Sequence, residues 1–170
     1  MNMRLKSTII AAALIGVAGV AVAGGNYTKS KHSQPDIVDI AAGNANFTTL
    51  VAALKAADLT EALEGKGPFT VFAPTNDAFA KLPAGTVETL LKPENKHKLI
   101  DILTYHVVPG EIYAKEVVNL SKANSLQGDS IDIAVSMGTV TVDGAKVIQT
   151  DIKGSNGVIH VIDNVILPNS

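Results

Sequence analysis

Along residues 36–168 the spacing of apolar side chains changes once, from a helical period to a strand period. Asp36 stands before Ile37, Ile40 and Ala41 and can cap a short helix that ends near Gly43. Phe47, Leu50, Val51 and Leu54 fall at i, i+3, i+4 and i+7, one apolar stripe of a second helix for which Asn46 is the expected cap. Asp58 and Glu61 have the spacing of a capping box for a third short turn. Phe69-Thr70-Val71-Phe72-Ala73 then reads as a strand stopped by Pro74. Thr75, Asn76 and Asp77 supply side-chain oxygens for the helix start that follows, with Ala78, Phe79 and Leu82 on its apolar side. Val87, Leu90 and Leu91 point inward after Gly85, and Pro93 opens a longer helix in which Leu99, Ile102 and Leu103 share a face.

From Tyr105 the period becomes two. Tyr105-His106-Val107-Val108 reads as a strand start that stops at Pro109-Gly110, and Ile131, Ile133 and Val135 alternate with polar residues, as do Val140 and Val142. Asp143-Gly144 is a two-residue hairpin signal leading into Lys146-Val147-Ile148. Val158-Ile159-His160-Val161-Ile162 is apolar nearly throughout, the pattern of a strand covered on both faces. Helices first and strands later predict an α+β domain over residues 36–168.

The residues before that domain follow other rules. Arg4 and Lys6, an apolar run from Thr8 to Val22, and Ala21-Val22-Ala23 have the order of a secretory signal peptide over residues 1–23. Residues 24–35 are polar, lack apolar periodicity and end at Pro35, so they read as a flexible linker. No later stretch reaches the ~18 apolar residues of a membrane helix. The expected product is therefore exported to the periplasm or the extracellular space.

Charge narrows the partners. Once Arg4 and Lys6 leave with the leader, 12 lysines face 16 acidic residues and no arginine remains. Without guanidinium forks, and with net negative charge, the chain is not expected to bind nucleic acid. Tryptophan and cysteine are absent, which removes base-stacking platforms, disulfides and thiol catalysis. His32, His97, His106 and His160 show no metal-site spacing, no Gly-x-Ser-x-Gly elbow occurs, and no calcium-loop pattern is found. Neither catalysis nor a cofactor is expected. Lys92, Lys96 and Lys98 are interrupted by Glu94 and read as a solvated helix face. Asn26, Asn46 and Asn119 head glycosylation sequons, where about 1.4 would arise by chance, so they are only weak evidence for a eukaryotic source.

Three segments resemble the signatures of one family. Phe69-Thr70-Val71-Phe72-Ala73-Pro74-Thr75-Asn76-Asp77-Ala78-Phe79, the pair Tyr105-His106, and Asn156-Gly157-Val158-Ile159-His160-Val161-Ile162-Asp163-Asn164-Val165-Ile166-Leu167-Pro168 resemble, in this order, the fasciclin (FAS1) domain family. That resemblance implies a wedge-shaped β-sandwich of about seven strands with several helices packed on it. It also implies a secreted module for cell adhesion or for contact with surface or matrix proteins, without catalysis. Some family members carry carotenoids, so carriage of an apolar small molecule is the alternative.

The same resemblance singles out Tyr105 and His106, with Asp101, Ile102 and Leu103 upstream, as a partner-binding segment. The residues themselves support a structural role as well. A tyrosine entering a strand can bury its ring while its hydroxyl finds a partner, and a buried imidazole is normally hydrogen-bonded. His160, between Ile159 and Val161, is expected to be a core imidazole of that kind.

Overall fold

The computed structural model describes residues 34–168. The expected leader, residues 1–23, and all of the expected linker except Gln34 and Pro35 lie outside the described residues. The helical half contains α1 (Ile37–Ala42), a 3-10 turn (Ala45–Phe47), α2 (Thr48–Ala56) and α3 (Thr60–Glu64). After strand β1 (Phe69–Pro74) come α4 (Asn76–Ala80), α5 (Thr86–Leu90), a second 3-10 turn (Pro93–Asn95) and α6 (Lys96–Tyr105). The remainder holds β2 (Val107–Pro109), α7 (Ala114–Val117), β3 (Lys122–Asn124), β4 (Ser130–Ser136), β5 (Thr139–Val142), β6 (Ala145–Gly154) and β7 (Gly157–Ile162). Among the described residues no helix is long and apolar enough to cross a membrane.

The class is α+β, as the order of helical and strand patterns predicts, and its seven strands match the number that the family resemblance implies. The strands run in the order β2-β1-β7-β6-β5-β4-β3, and only β1 and β7 pair in parallel. The sandwich expected from the family resemblance is realised as one continuous ladder rather than two separate sheets. Register shifts in β6 around Gln149, with Asp151 at φ 58°, bend that ladder. The backbone N–H of Leu126 donates to the Val107 carbonyl at 2.7 Å, so the two ends of the sheet meet.

Two apolar clusters fill the domain, one on each face of β1 and β7. Val71, Ala73, Ile159 and Val161 pack with Leu50, Leu54, Leu99 and Leu103 of the helices. Phe72 and Ile162 point the other way, to Tyr105, Val117, Ile131, Val142 and Ala145. Burial of each large side chain contributes roughly 1.5 to 3 kcal/mol, so β7, an interior strand buried at all six positions, contributes heavily to stability. Val135, which continues the alternation of Ile131 and Ile133, is exposed, because β4 runs past the end of the core.

Several local expectations are corrected. Asn44, not Asn46, caps the 3-10 turn, accepting from the Asn46 N–H at 3.0 Å, since the chain makes that tight turn before α2 begins. Asp58 and Glu61 form no capping box: Asp58 sits at φ 56° and pairs with Lys96. Leu59 precedes α3 with no side-chain cap. Tyr105 ends α6 and His106 caps it, so the predicted strand begins only at Val107. The segment β3 and helix α7 carry too few apolar residues to show a period and are not foreseen.

Candidate functional site

Helix α6 turns Leu99 and Leu103 inward, leaves Ile102 half-buried and sets Asp101 in solvent. Its last turn delivers Tyr105 and His106 to the interior, where they are 0% and 2% exposed. Of the five residues singled out in the sequence, Asp101 and Ile102 alone reach the surface. They line an open depression of about 480 Å³ with Leu90, Lys98, Leu167 and Pro168.

His106 bonds on both sides of its ring. Nδ1 lies 2.7 Å from the Ile102 carbonyl and Nε2 accepts the Ile166 N–H at 3.2 Å. An amide can only donate, so Nε2 is unprotonated and the proton sits on Nδ1. The imidazole thereby ties α6 to the segment after β7. Burial lowers its pKa to about 4, against the opposing pull of the Ile102 carbonyl and the Asp143 charge. At neutral pH it is a neutral structural group.

Tyr105 donates its hydroxyl to the Asp143 carboxylate, with the Ser130 carbonyl 3.3 Å away. Burial first, then the bond and charge of Asp143, raise its pKa above the ordinary tyrosine value. The other oxygen of Asp143 accepts the Asp132 N–H at 2.9 Å. A phenol held protonated by a carboxylate cannot serve as a general base at neutral pH.

His160 has the core role expected of it. Nε2 donates to the Ile112 carbonyl at 2.7 Å, Nδ1 accepts the Asp151 N–H at 3.3 Å, and burial lowers its pKa. Its ring lies 5.7 Å from that of Phe72. His106 and His160 flank Phe72 of β1, whose N–H donates to the His106 carbonyl and which pairs in register with His160, but their rings bond separate sets of backbone groups. Among the described residues no group of three or more His, Cys, Asp or Glu is placed to hold a metal.

Two asparagines carry long-range roles that local reasoning missed. Thr75 caps α4 as expected, accepting the Ala78 N–H at 3.2 Å. Asn76 instead reaches across to α2, accepting from the Thr49 N–H at 3.0 Å and the Thr48 hydroxyl at 3.1 Å, and donating to the Ala45 carbonyl at 2.8 Å. It supplies the cap that Phe47 cannot give. Asn156 accepts the Ile37 N–H at 3.1 Å and donates to the Leu63 carbonyl at 2.6 Å, binding the start of α1 to the end of α3. A Cβ on the neighbouring Gly157 would lie 2.1 Å from the Phe69 carbonyl oxygen, so only glycine lets β7 close on β1 there. The available sequence signal is an asparagine inside each family-like segment whose local turn does not need it.

The first and the last of the three family-like segments therefore brace the fold. A fasciclin domain model matches residues 45–168. The chain belongs to the fasciclin domain family. It is 64% identical to protein sll1483 of Synechocystis sp. over 132 residues, which are 78% of this chain and 73% of that one. It is 40% identical over 132 residues to transforming growth factor-beta-induced protein ig-h3 of Sus scrofa, of which the match spans 19%. Among solved structures it resembles the FAS1 domain pair of the insect cell adhesion molecule fasciclin I, with a TM-score of 0.53 at 20% identity. That alignment covers 72% of this chain and 45% of the other and shows the shared fold.

Proposed function

We propose that this fasciclin domain is an exported, non-catalytic binding module that mediates adhesion or contact with surface or matrix proteins. The observation that supports this best is the division of labour on α6. Its polar interior residues, Tyr105 and His106, are fully engaged in internal bonds, whereas Asp101 and Ile102 face an open depression with Leu90 and Leu167. A carboxylate beside exposed aliphatic carbon suits a protein surface carrying a basic residue next to an apolar one. In this reading Asp101 and Ile102 make the contact, and Leu103, Tyr105 and His106 hold them in place.

Attachment of the purified protein to immobilised matrix proteins and to its own host's cell envelope tests the assignment. Asp101→Lys together with Ile102→Ser is expected to lower attachment severalfold while costing only about 1 kcal/mol of unfolding free energy, since Asp101 is exposed and Ile102 half-buried. His106→Ala is expected to lower stability and attachment together, because the Ile166 N–H loses its acceptor at a cost of about 1 to 3 kcal/mol. Full attachment by the double variant would remove this face from consideration. Lost attachment by His106→Ala at unchanged stability would make the buried pair itself the binding site.

A further inference from the structure

Exposed large apolar side chains are concentrated at one end of the strand ribbon. Strand β4 starts beside Tyr105 and carries Val135 to its far end, where Met137 forms the tip of the hairpin to β5. The bond from the Ile133 N–H to the Ser121 carbonyl, 2.9 Å, lays Leu120 and the end of α7 along the same half of β4. In β6, Ile148 follows the point where pairing with β5 ceases, again on the side of the tip. Val118, Leu120, Val135, Met137 and Ile148 are all exposed, Met137 wholly so at 104%.

Met137 is a costly choice for that position. It lies at φ 49° and Gly138 at φ 77°, nearly the backbone of Asp143 and Gly144 at φ 47° and 79°. Such a turn favours Asn or Asp first, and a long unbranched side chain gains nothing locally from the left-handed conformation. Asp143 bonds to Asp132 and Tyr105; Met137 has no comparable bond. Backbone strain combined with a fully exposed apolar side chain points to a use outside the chain's own fold.

We propose that this end of the domain is a self-association face, on which a second copy packs its own Met137 hairpin about a two-fold axis. Charge favours that occupant. Ile133 to Val142 contains no ionisable residue, whereas residues 34–168 hold 16 acidic side chains against 10 lysines. Two copies of net negative charge repel, and the uncharged hairpin tip, beyond Lys146 and the Lys122–Asp132 pair, is where they approach at least cost. An uncharged apolar patch is also compatible with its own image, as an isologous contact requires, and methionine adapts its shape to a like partner. The hairpin has neither the basic residues nor the aromatic rings of a lipid-binding tip.

Sedimentation velocity on the protein purified from its host, from micromolar to millimolar, tests the proposal. Wild type is expected to show a concentration-dependent dimer. Met137→Asp is expected to weaken it at least about tenfold. The same change creates the favoured Asp-Gly turn, so dilute protein should unfold at an equal or higher temperature, which separates lost association from lost folding. Val135→Lys should act in the same direction, while Leu126→Asp, exposed where β3 meets β2, should leave association unchanged. A monomer at every concentration overturns the proposal, as does a dimer equally strong in Met137→Asp or one weakened as much by Leu126→Asp.

Discussion

The β4-β5-β6 ribbon has two ends with nearly the same turn backbone and opposite chemistry. At one, the Asp143 carboxylate accepts from the Asp132 amide and the Tyr105 hydroxyl, and Val142 and Ala145 beside it are buried. At the other, Met137 stands in solvent and Val135 is uncovered. Backbone conformation alone therefore says little about what a turn does in this domain. The difference lies in whether its side chains reach elements distant in sequence: the tied end joins α6, β1 and β7 into one cluster, whereas Val135 and Met137 at the free end belong to neither apolar cluster among the described residues.

The contrast predicts its largest effect at Phe72, which is 1% exposed at the tied end. Phe72→Ala should cost on the order of 3 to 5 kcal/mol, because it leaves a cavity between β1 and the ring of His160. Val135→Ala at the free end should cost under about 0.5 kcal/mol. Urea unfolding of both variants measures the ratio. A loss below about 1 kcal/mol for Phe72→Ala would erase the distinction between the ends.

Acid should loosen the tied end next. The folded pKa of His106, about 4, lies below the ordinary histidine value of about 6.5, so the unfolded chain binds the proton more readily. Its contribution to stability is complete above about pH 6.5 and is lost as pH falls toward 4, amounting to roughly 3 kcal/mol once both states are protonated. The protonated ring would present a donor to the Ile166 N–H, itself a donor. The protection factor of the Ile166 amide, its exchange measured against the intrinsic rate at the same pH, should therefore fall in acid while protection near Met137 changes little. A His106→Gln variant should show a flatter dependence of unfolding free energy on pH over this range; an unchanged slope would show that another group controls it.

What was legible in the sequence follows the same division. Strands β1 and β7, the Asp143-Gly144 turn and the Asp36 and Thr75 caps could be read because each depends on residues within a few positions of one another. The burial of His160 also followed from its two apolar neighbours. Asn76 and Asn156 could not be read, since their partners lie 27 to 31 and 91 to 119 residues away. Tyr105 and His106 fall between the two cases. Their apolar company signalled burial, but a helix end and a strand start share the same residues there, and the bonds to Asp143 and Ile166 are set by topology. Of the candidate site, the segment was visible in advance, while its split into exposed Asp101 and Ile102 and buried Leu103, Tyr105 and His106 needed the angular position of each on α6.

The smallest effect is the most direct test of the comparison, because it exchanges the two turns. Asp143→Met leaves the Asp132 N–H without its acceptor and the Tyr105 hydroxyl with only the more distant Ser130 carbonyl, so a loss of about 1 to 3 kcal/mol is expected. Met137→Asn places a residue that tolerates positive φ at a site that makes no demand on its side chain, so a gain of up to about 1 kcal/mol is expected. The backbone is nearly identical at the two sites, so intrinsic turn preference by itself would predict changes of similar size and opposite sign. A larger loss at Asp143 than gain at Met137, read from thermal unfolding of dilute protein, measures how much of the Asp143 effect comes from its ties to Asp132 and Tyr105. Equal and opposite changes would mean that those ties contribute nothing and that the two ends differ only in their exposed side chains.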